Sequence, residues 1–399
     1  MFALSEKQRA QEYMATYKPN LIGVTGASGK TAVVQAIAEA VSAMHLVRAA
    51  TPEGSQPQHM AAGILGNSHK QKRLWFKMLF GSQANEIKQA EPKTIVVECN
   101  AGAPGDIGRI STAFQFTHAV VLNTGTIHAD LFPTKESVAH EFTALAASLP
   151  KHGVAILNID DPAIAANRPR LLCHHVTFGT HPQADVRLMR ADRISLKGFI
   201  GQLAVMGKPY ECSVQHLVGR HQLDAILAAI AVVHSLGGDI PQAIEALRNL
   251  PLPPGRMNIV EGNHKSTIID DSHGATPESM QAALKTLAAL PADLPGGEIS
   301  PRRIAILGDI GNLGAQSIRV HQSVGEAAAR TCQVFIGVGK AMKQAQAAAL
   351  QKGGVDTHHF ETSEDVGKWL KDYLQPGDIV LIKGGSEMHM GKVVESLKA

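Results

Sequence analysis

One segment constrains this chain more than any other: Thr25-Gly26-Ala27-Ser28-Gly29-Lys30-Thr31. It follows the apolar run Leu21-Ile22-Gly23-Val24 and precedes a helix-period stretch, 32–42, rich in strong helix formers. Strand, glycine loop and helix in that order open an α/β unit. Glycines let the backbone approach a ligand closely, and the amides at the turn and helix start form a cradle for an anion. Lys30 would reach the terminal phosphates and the Thr31 hydroxyl would meet Mg²⁺. The strict G-x-x-x-x-G-K-[ST] pattern misses by one residue, because Val24 stands five positions before Gly29. The strand before and the helix after favour phosphate binding over an ordinary Gly/Ser turn with a surface lysine.

Apolar runs recur at crossover spacing after this unit, at 94–99, 119–123 and 154–158. Each has an unbroken apolar centre, the signature of parallel strands covered on both faces. Each ends at or near a polar residue, where open α/β sheets bind ligands. Between 184 and 218 apolar and polar residues partly alternate, which predicts short antiparallel strands with a hairpin near Gly207-Lys208. A helix over 222–236 follows. The turn-rich joint Leu250-Pro251-Leu252-Pro253-Pro254-Gly255 divides the chain, and α/β alternation restarts beyond it. The fold class is therefore α/β: a P-loop-type central domain with a mostly parallel sheet plus a small antiparallel sheet, then a Rossmann-like C-terminal domain. The expected limits are a helical leader at 1–19, the central domain at 20–250 and the second domain at 251–399.

Composition narrows the function classes. With 2 Trp, 4 Tyr and 11 Phe, the core must rest on aliphatics and alanine. Lys and Arg number 38 against 35 Asp and Glu, so charge balance alone implies neither a nucleic-acid nor a membrane partner. The four cysteines form no C-x-x-C pair, which excludes a Cys-rich zinc site and fits a reducing compartment. No apolar run reaches the ~18 residues of a membrane span. The polar N-terminus is unlike a signal peptide, so a cytoplasmic protein is expected.

Glu98 ends one candidate strand, and His128 follows the next through Asn123-Thr124-Gly125-Thr126-Ile127. Singly, each is an ordinary strand-end or loop residue. Together after adjacent strands, in a chain with a phosphate loop, they read as metal ligands.

These features combine into a resemblance. T-G-x-x-G-K-T, Glu98 and His128 are similar to motifs of the Mur ligases. So are Gly219-Arg220-His221 opening an Ala-rich helix, and Pro254-Gly255-Arg256-Met257 before Ile268-Ile269-Asp270-Asp271-Ser272-His273. The segment 308–314 with His321, and Val380-Leu381-Ile382-Lys383-Gly384-Gly385, resemble the C-terminal domain of the branch that adds D-alanyl-D-alanine. The resemblance spans about 20–399.

It implies an ATP-dependent ligase. Family members phosphorylate a carboxylate with ATP, and an amine attacks the acyl phosphate to give an amide, ADP and phosphate. The implied cofactors are ATP and Mg²⁺. The implied partners are a small-molecule carboxylate acceptor and an amino acid or peptide, with neither nucleic acid nor membrane, and with a protein partner or homo-oligomer left open. Thr25, Gly26, Ala27, Ser28, Gly29 and Lys30 would hold the phosphates. Thr31, Glu98 and His128 would hold metal. Arg256 would reach the nucleotide phosphates, Asp271 the ribose and Gln222 the nucleotide. His273 and Lys383 would face substrate. The catalytic set on this basis is Lys30, Glu98, His128 and Arg256.

The chain departs from the family pattern at identifiable positions. Ungapped alignment puts Phe142 where the family has a carbamylated lysine, with His140, Glu141 and Lys135 as the nearby replacements. G-R-H-N-x-x-N becomes 219–225 with Gln222 and Ala225, so the adenine-contacting Asn is Ala225. D-S-Y-N-A-N becomes 271–276 with His273 and Gly274. Residues 1–19 are too few for the family's UDP-sugar module, and a helix packing on the ATP-binding domain is expected there. A second reading follows: a Mur-like nucleotide-binding protein, or a ligase subunit whose catalysis is reduced or partner-dependent. A plain P-loop ATPase or kinase would leave Arg256, Asp271 and Lys383 without roles.

Other clusters read as structural. Cys173-His174-His175, His358-His359 and Met388-His389-Met390 put neighbours on opposite faces of a strand, which cannot converge on a metal. The basic stretch 69–77 reads as a solvated helix or loop near the cleft, with an anionic-substrate patch as the sharper alternative.

Overall fold

A computed structural model describes residues 4–52, 54–66, 91–290 and 301–398. The basic stretch 69–77 lies outside the described residues. The first sheet contains β1 (Asn20–Thr25), β2 (Val47–Ala50), β3 (Thr94–Glu98), β4 (His118–Val121), β5 (Val154–Asn158), β6 (His174–Gly179), β7 (Val186–Arg193), β8 (Gly198–Val205) and β9 (Lys208–Gln215). Their spatial order is β2-β3-β1-β4-β5-β6-β7-β8-β9. Pairing is parallel from β2 through β7 and antiparallel from β7 to β9. The antiparallel strands expected near 184–218 thus extend the edge of the parallel sheet. Met206 and Gly207 both adopt left-handed backbone in the β8–β9 turn, which matches the twist of a two-residue hairpin.

The strands are buried on both faces, as their apolar centres predict. Alternation along them divides the core into two clusters. Ile22, Val24, Val96 and Val120 point to one face, and Leu21, Ile95, Val97 and Val121 to the other. On the first face, helix Leu223–Ser235 is buried on nearly every side. Its alanines admit close approach to the Ala-rich helix Lys30–Ser42. Leu227, Ile230 and Val233 are fully buried, each stabilising by about 1.5–3 kcal/mol. On the other face, helix Glu6–Tyr17 buries Ala10 and ties Gln11 Nε2 to the Ala113 carbonyl at 2.9 Å.

Residues 248–257 lead to the second sheet. It contains β10 (Asn258–Gly262), β11 (Ser266–Asp271), β12 (Arg303–Gly308), β13 (Val334–Val338), β14 (Asp356–Phe360) and β15 (Ile379–Lys383). The order is β10-β11-β15-β12-β13-β14, parallel except for β10–β11. Strands β2, β6, β10 and β14 carry no continuous apolar run and escaped the sequence pattern. Three of them are edge strands, half open to solvent, and β6 is exposed over its first two residues. His358 and His359 fall on β14, His358 near Asp356 and His359 bonded to the Gly339 carbonyl. Among the described residues no helix is long and apolar enough to cross a membrane.

Candidate active site between the two sheets

The carboxyl ends of β1, β3 and β4 in the first sheet and of β11 and β15 in the second border one cleft of 1250 Å³. The glycine loop forms its floor. Gly26 has φ +147, and a Cβ there would lie 2.9 Å from Leu122. Gly29 is left-handed at φ +82 and caps helix Lys30–Ser42. Both positions therefore require glycine.

Asn123, which the sequence marks only as a polar strand end, braces this loop. Its carbonyl accepts from Ala27 N at 3.1 Å, its Oδ1 accepts from Ser28 N at 3.0 Å, and its Nδ2 donates to the Ser28 carbonyl at 3.1 Å. Lys30 folds its ammonium onto the Gly26 carbonyl at 2.8 Å. Burial in the cleft pushes its pKa down; Glu98 opposes this and Arg256 adds to it. Thr31 donates its hydroxyl to Glu98 Oε2 at 2.9 Å, a contact made by the β1–β3 pairing that sets Val24 beside Glu98.

From the second sheet come Asp271 and Lys383, with Arg256 just before β10 and His273 just after β11. Parallel pairing of β11 and β15 puts Asp271 opposite Lys383. They form a buried ion pair at 2.8 Å, and Lys383 Nζ also donates to the Gly274 carbonyl at 3.0 Å. The sequence assigns these two residues separate roles; the structure makes them one unit. His221 opens onto the same cleft. Burial holds its pKa below the usual value, with Asp271 pulling the other way.

Ala27, Ser28, Gly29, Lys30, Thr31, Glu98 and Gln222 also line the cleft. Thr25 and Gly26 are buried and, like His128, are not among the lining residues. His128 has left-handed backbone at φ 38, and the next residue, Ala129, donates its amide to the Asn312 carbonyl at 3.0 Å. The loop that carries His128 is thus docked on the second sheet's domain. Thr126, two residues earlier, donates its amide and hydroxyl to Glu278 Oε1, both at 3.0 Å. Among the described residues no group of three or more His, Cys, Asp or Glu could hold a metal by itself. Thr31 and Glu98 remain as a two-oxygen site.

The family models for the Mur ligase middle domain, over 24–233, and for the Mur ligase glutamate ligase domain, over 255–386, both match. The chain belongs to the Mur ligase family. Family members are ATP-dependent amide ligases. The UDP-N-acetylmuramoyl-tripeptide–D-alanyl-D-alanine ligase of Mycobacterium leprae is 26% identical over 94% of this chain and 73% of its own. The enzyme of the same name from Mycobacterium tuberculosis is 28% identical over 95% and 73%. The fold is similar to that of MurF from Thermotoga maritima in complex with ADP, with TM-score 0.79, 22% identity and coverage of 98% and 82%. Folylpolyglutamate synthase from Mycobacterium tuberculosis gives TM-score 0.68 at 16% identity, covering 99% and 95%.

The structure locates the positions where this Mur ligase departs from the motif pattern. Phe142 is 1% exposed in the hydrophobic core. Glu141 accepts from Gly105 N and Ile107 N, both at 2.8 Å, at the start of helix Asp106–Ala113. It is occupied structurally and does not line the cleft; Lys135 and His140 do. Gln222 spends its amide oxygen on Val218 N and Gly219 N, at 2.9 and 2.8 Å. His321, noted beside 308–314, is fully buried and receives Ile310 N on Nε2 at 3.1 Å, so it shapes that loop.

Asp224 was not singled out by any motif. It lies in the first turn of helix Leu223–Ser235 and lines the cleft. Burial raises its pKa from 3.8 to about 7, and Asp160 adds to the effect. Between those two pH values the folded protein holds a proton that the unfolded chain has released. Stability therefore falls as pH rises from about 4 to about 7, then levels. Asp224→Asn is expected to stabilise the protein more at pH 8 than at pH 4, read by denaturant unfolding. An equal effect at both pH values would rule out Asp224 as the source.

Proposed function

We propose that this chain joins an amino acid or peptide amine to a carboxylate acceptor through an acyl phosphate, at the expense of ATP. The convergence of Lys30, the Thr31–Glu98 pair and Arg256 on one cleft between two α/β units carries this reading. Residues 20–250 serve as the ATP-binding unit and 251–399 as the unit that closes on it. The Ala27–Thr31 amides and Lys30 take the β- and γ-phosphates. Thr31 and Glu98 are hard oxygen donors of the kind Mg²⁺ prefers; bound there, the ion would neutralise charge on the transferring phosphoryl group.

Arg256 enters from the second domain and stabilises the same charge. The acceptor carboxylate oxygen attacks the γ-phosphorus, and ADP leaves. The amine then attacks the acyl carbonyl, loses a proton, and phosphate departs. Asp271 orients the nucleotide sugar, while Lys383, held by Asp271, and His273 border the space left for the amine. His128 lies on the loop that docks against the second domain and is kept as a further metal ligand in this reading. The similarity to D-alanyl-D-alanine-adding ligases supports a dipeptide of that kind as the amine.

Phe142 and Ala225, both buried in the core, favour a second reading in which nucleotide binds without turnover. Phosphate release measured with ATP, Mg²⁺, acceptor and dipeptide separates the two. The ligase reading expects release only when acceptor and amine are both present; release indifferent to either substrate sinks it. Arg256→Ala is expected to lower kcat/KM by about 10²-fold. An unchanged value would confine the chemistry to the first domain.

A further inference from the structure

A second cavity, of 850 Å³, lies beside the cleft and shares His221, Glu278 and Ala282 with its wall. One side is built from the β7–β8 ribbon and the turn Arg220–Gln222. The other is built from helices Pro277–Ala288 and Ser317–Thr331. Four cations line it: Arg193 and Arg220 from the first domain, Lys285 and Arg319 from the second. None of the four makes an ion pair among the described residues.

The one carboxylate in the lining, Glu278, is hydrogen-bonded through Oε1 to Thr126 and turns Oε2 toward Gly125, pairing with none of the four cations and with no hydrogen-bond partner there among the described residues. Arg193 is fixed in place, stacked on Phe199 at 5.2 Å and donating to the Val218 carbonyl.

Four cations bordering one space raise the local positive potential there, which favours an anion that meets several of them at once. Arginine's planar fork suits phosphate and carboxylate oxygens, and Phe199 and Val320 supply an apolar wall. We propose that this cavity binds a multivalent anion bearing phosphate or carboxylate groups, at a site separate from the Ala27–Thr31 cradle. Two of its cations belong to each domain, so the bound anion links the domains. Nothing in this rests on the ligase reading.

Calorimetric titration of inorganic pyrophosphate into the full chain, alone and saturated with ADP, tests it. One equivalent is expected to bind with ADP in place and to raise the melting temperature. Lys285→Glu/Arg319→Glu is expected to weaken pyrophosphate at least about tenfold, or 1.4 kcal/mol, with ADP affinity unchanged. Both residues are exposed on helix surfaces, and melting without anion verifies that the variant folds. Absence of binding, competition with ADP, or affinity indifferent to the double substitution overturns the proposal. Failure of ADP itself to bind counts against the nucleotide reading alone, since pyrophosphate is also titrated without it.

Discussion

Lys30→Ala is expected to reduce ATP-dependent phosphate release by about 10²–10³-fold in kcat/KM, the loss typical of removing one donor from a developing anionic charge. Among the described residues the ammonium has one hydrogen bond, to the Gly26 carbonyl, and otherwise stands in the cleft with its charged form disfavoured by burial. A phosphate adds its counter-charge to that of Glu98, which by itself does not offset the burial. The same desolvation means that the side chain does little for the protein without ligand, so the melting temperature of Lys30→Ala should hold or rise. A steady-state assay of phosphate release and a thermal melt of the same sample read both halves. Release within a few-fold of the parent would remove Lys30 from the phosphate site.

Lys383→Ala acts in the opposite way, on stability first. Lys383 and Asp271 are 3% and 9% exposed in their side chains, so the substitution strands a buried carboxylate. Breaking a buried pair from one side costs about 3–5 kcal/mol. Removing both charges together, as Lys383→Met with Asp271→Asn, is expected to recover most of that. Trp369 lies on helix Ser363–Tyr373 against Phe360 of β14, which makes its fluorescence a reporter for unfolding of the second sheet. In a Trp75→Phe background it isolates that transition. A loss below about 1 kcal/mol, or no recovery in the double variant, would show that the pair is not energetically coupled.

The glycine loop and the central strands were legible because their signals are local. A left-handed glycine, a capped helix and an unbroken apolar run are each written within a few residues. Lys30, Thr31 and Glu98 followed from that local pattern, since parallel pairing at the Gly loop fixes which strand end stands beside it. The Asp271–Lys383 pair was not legible as a pair. Its members are 112 residues apart, by numbering, and meet only through the register of β11 with β15. Asn123 was visible as a strand end but not as a brace, because its partners are amides whose direction depends on the folded loop. His128 was legible as a residue type suited to metal, whereas the tie of its loop to Asn312 was not, because that contact joins segments far apart in the chain. Edge strands such as β14 were missed for lack of burial, which is what gives a strand its pattern.

The bracing of the loop by Asn123 bears on how fast a ligand is captured. Three bonds from one residue hold Ala27 and Ser28 in position before any phosphate arrives. The conformational entropy of ordering that backbone is therefore lost during folding and not at the encounter. Nucleotide association at the cradle should proceed in a single concentration-dependent phase, with no slow rearrangement of the loop to follow it.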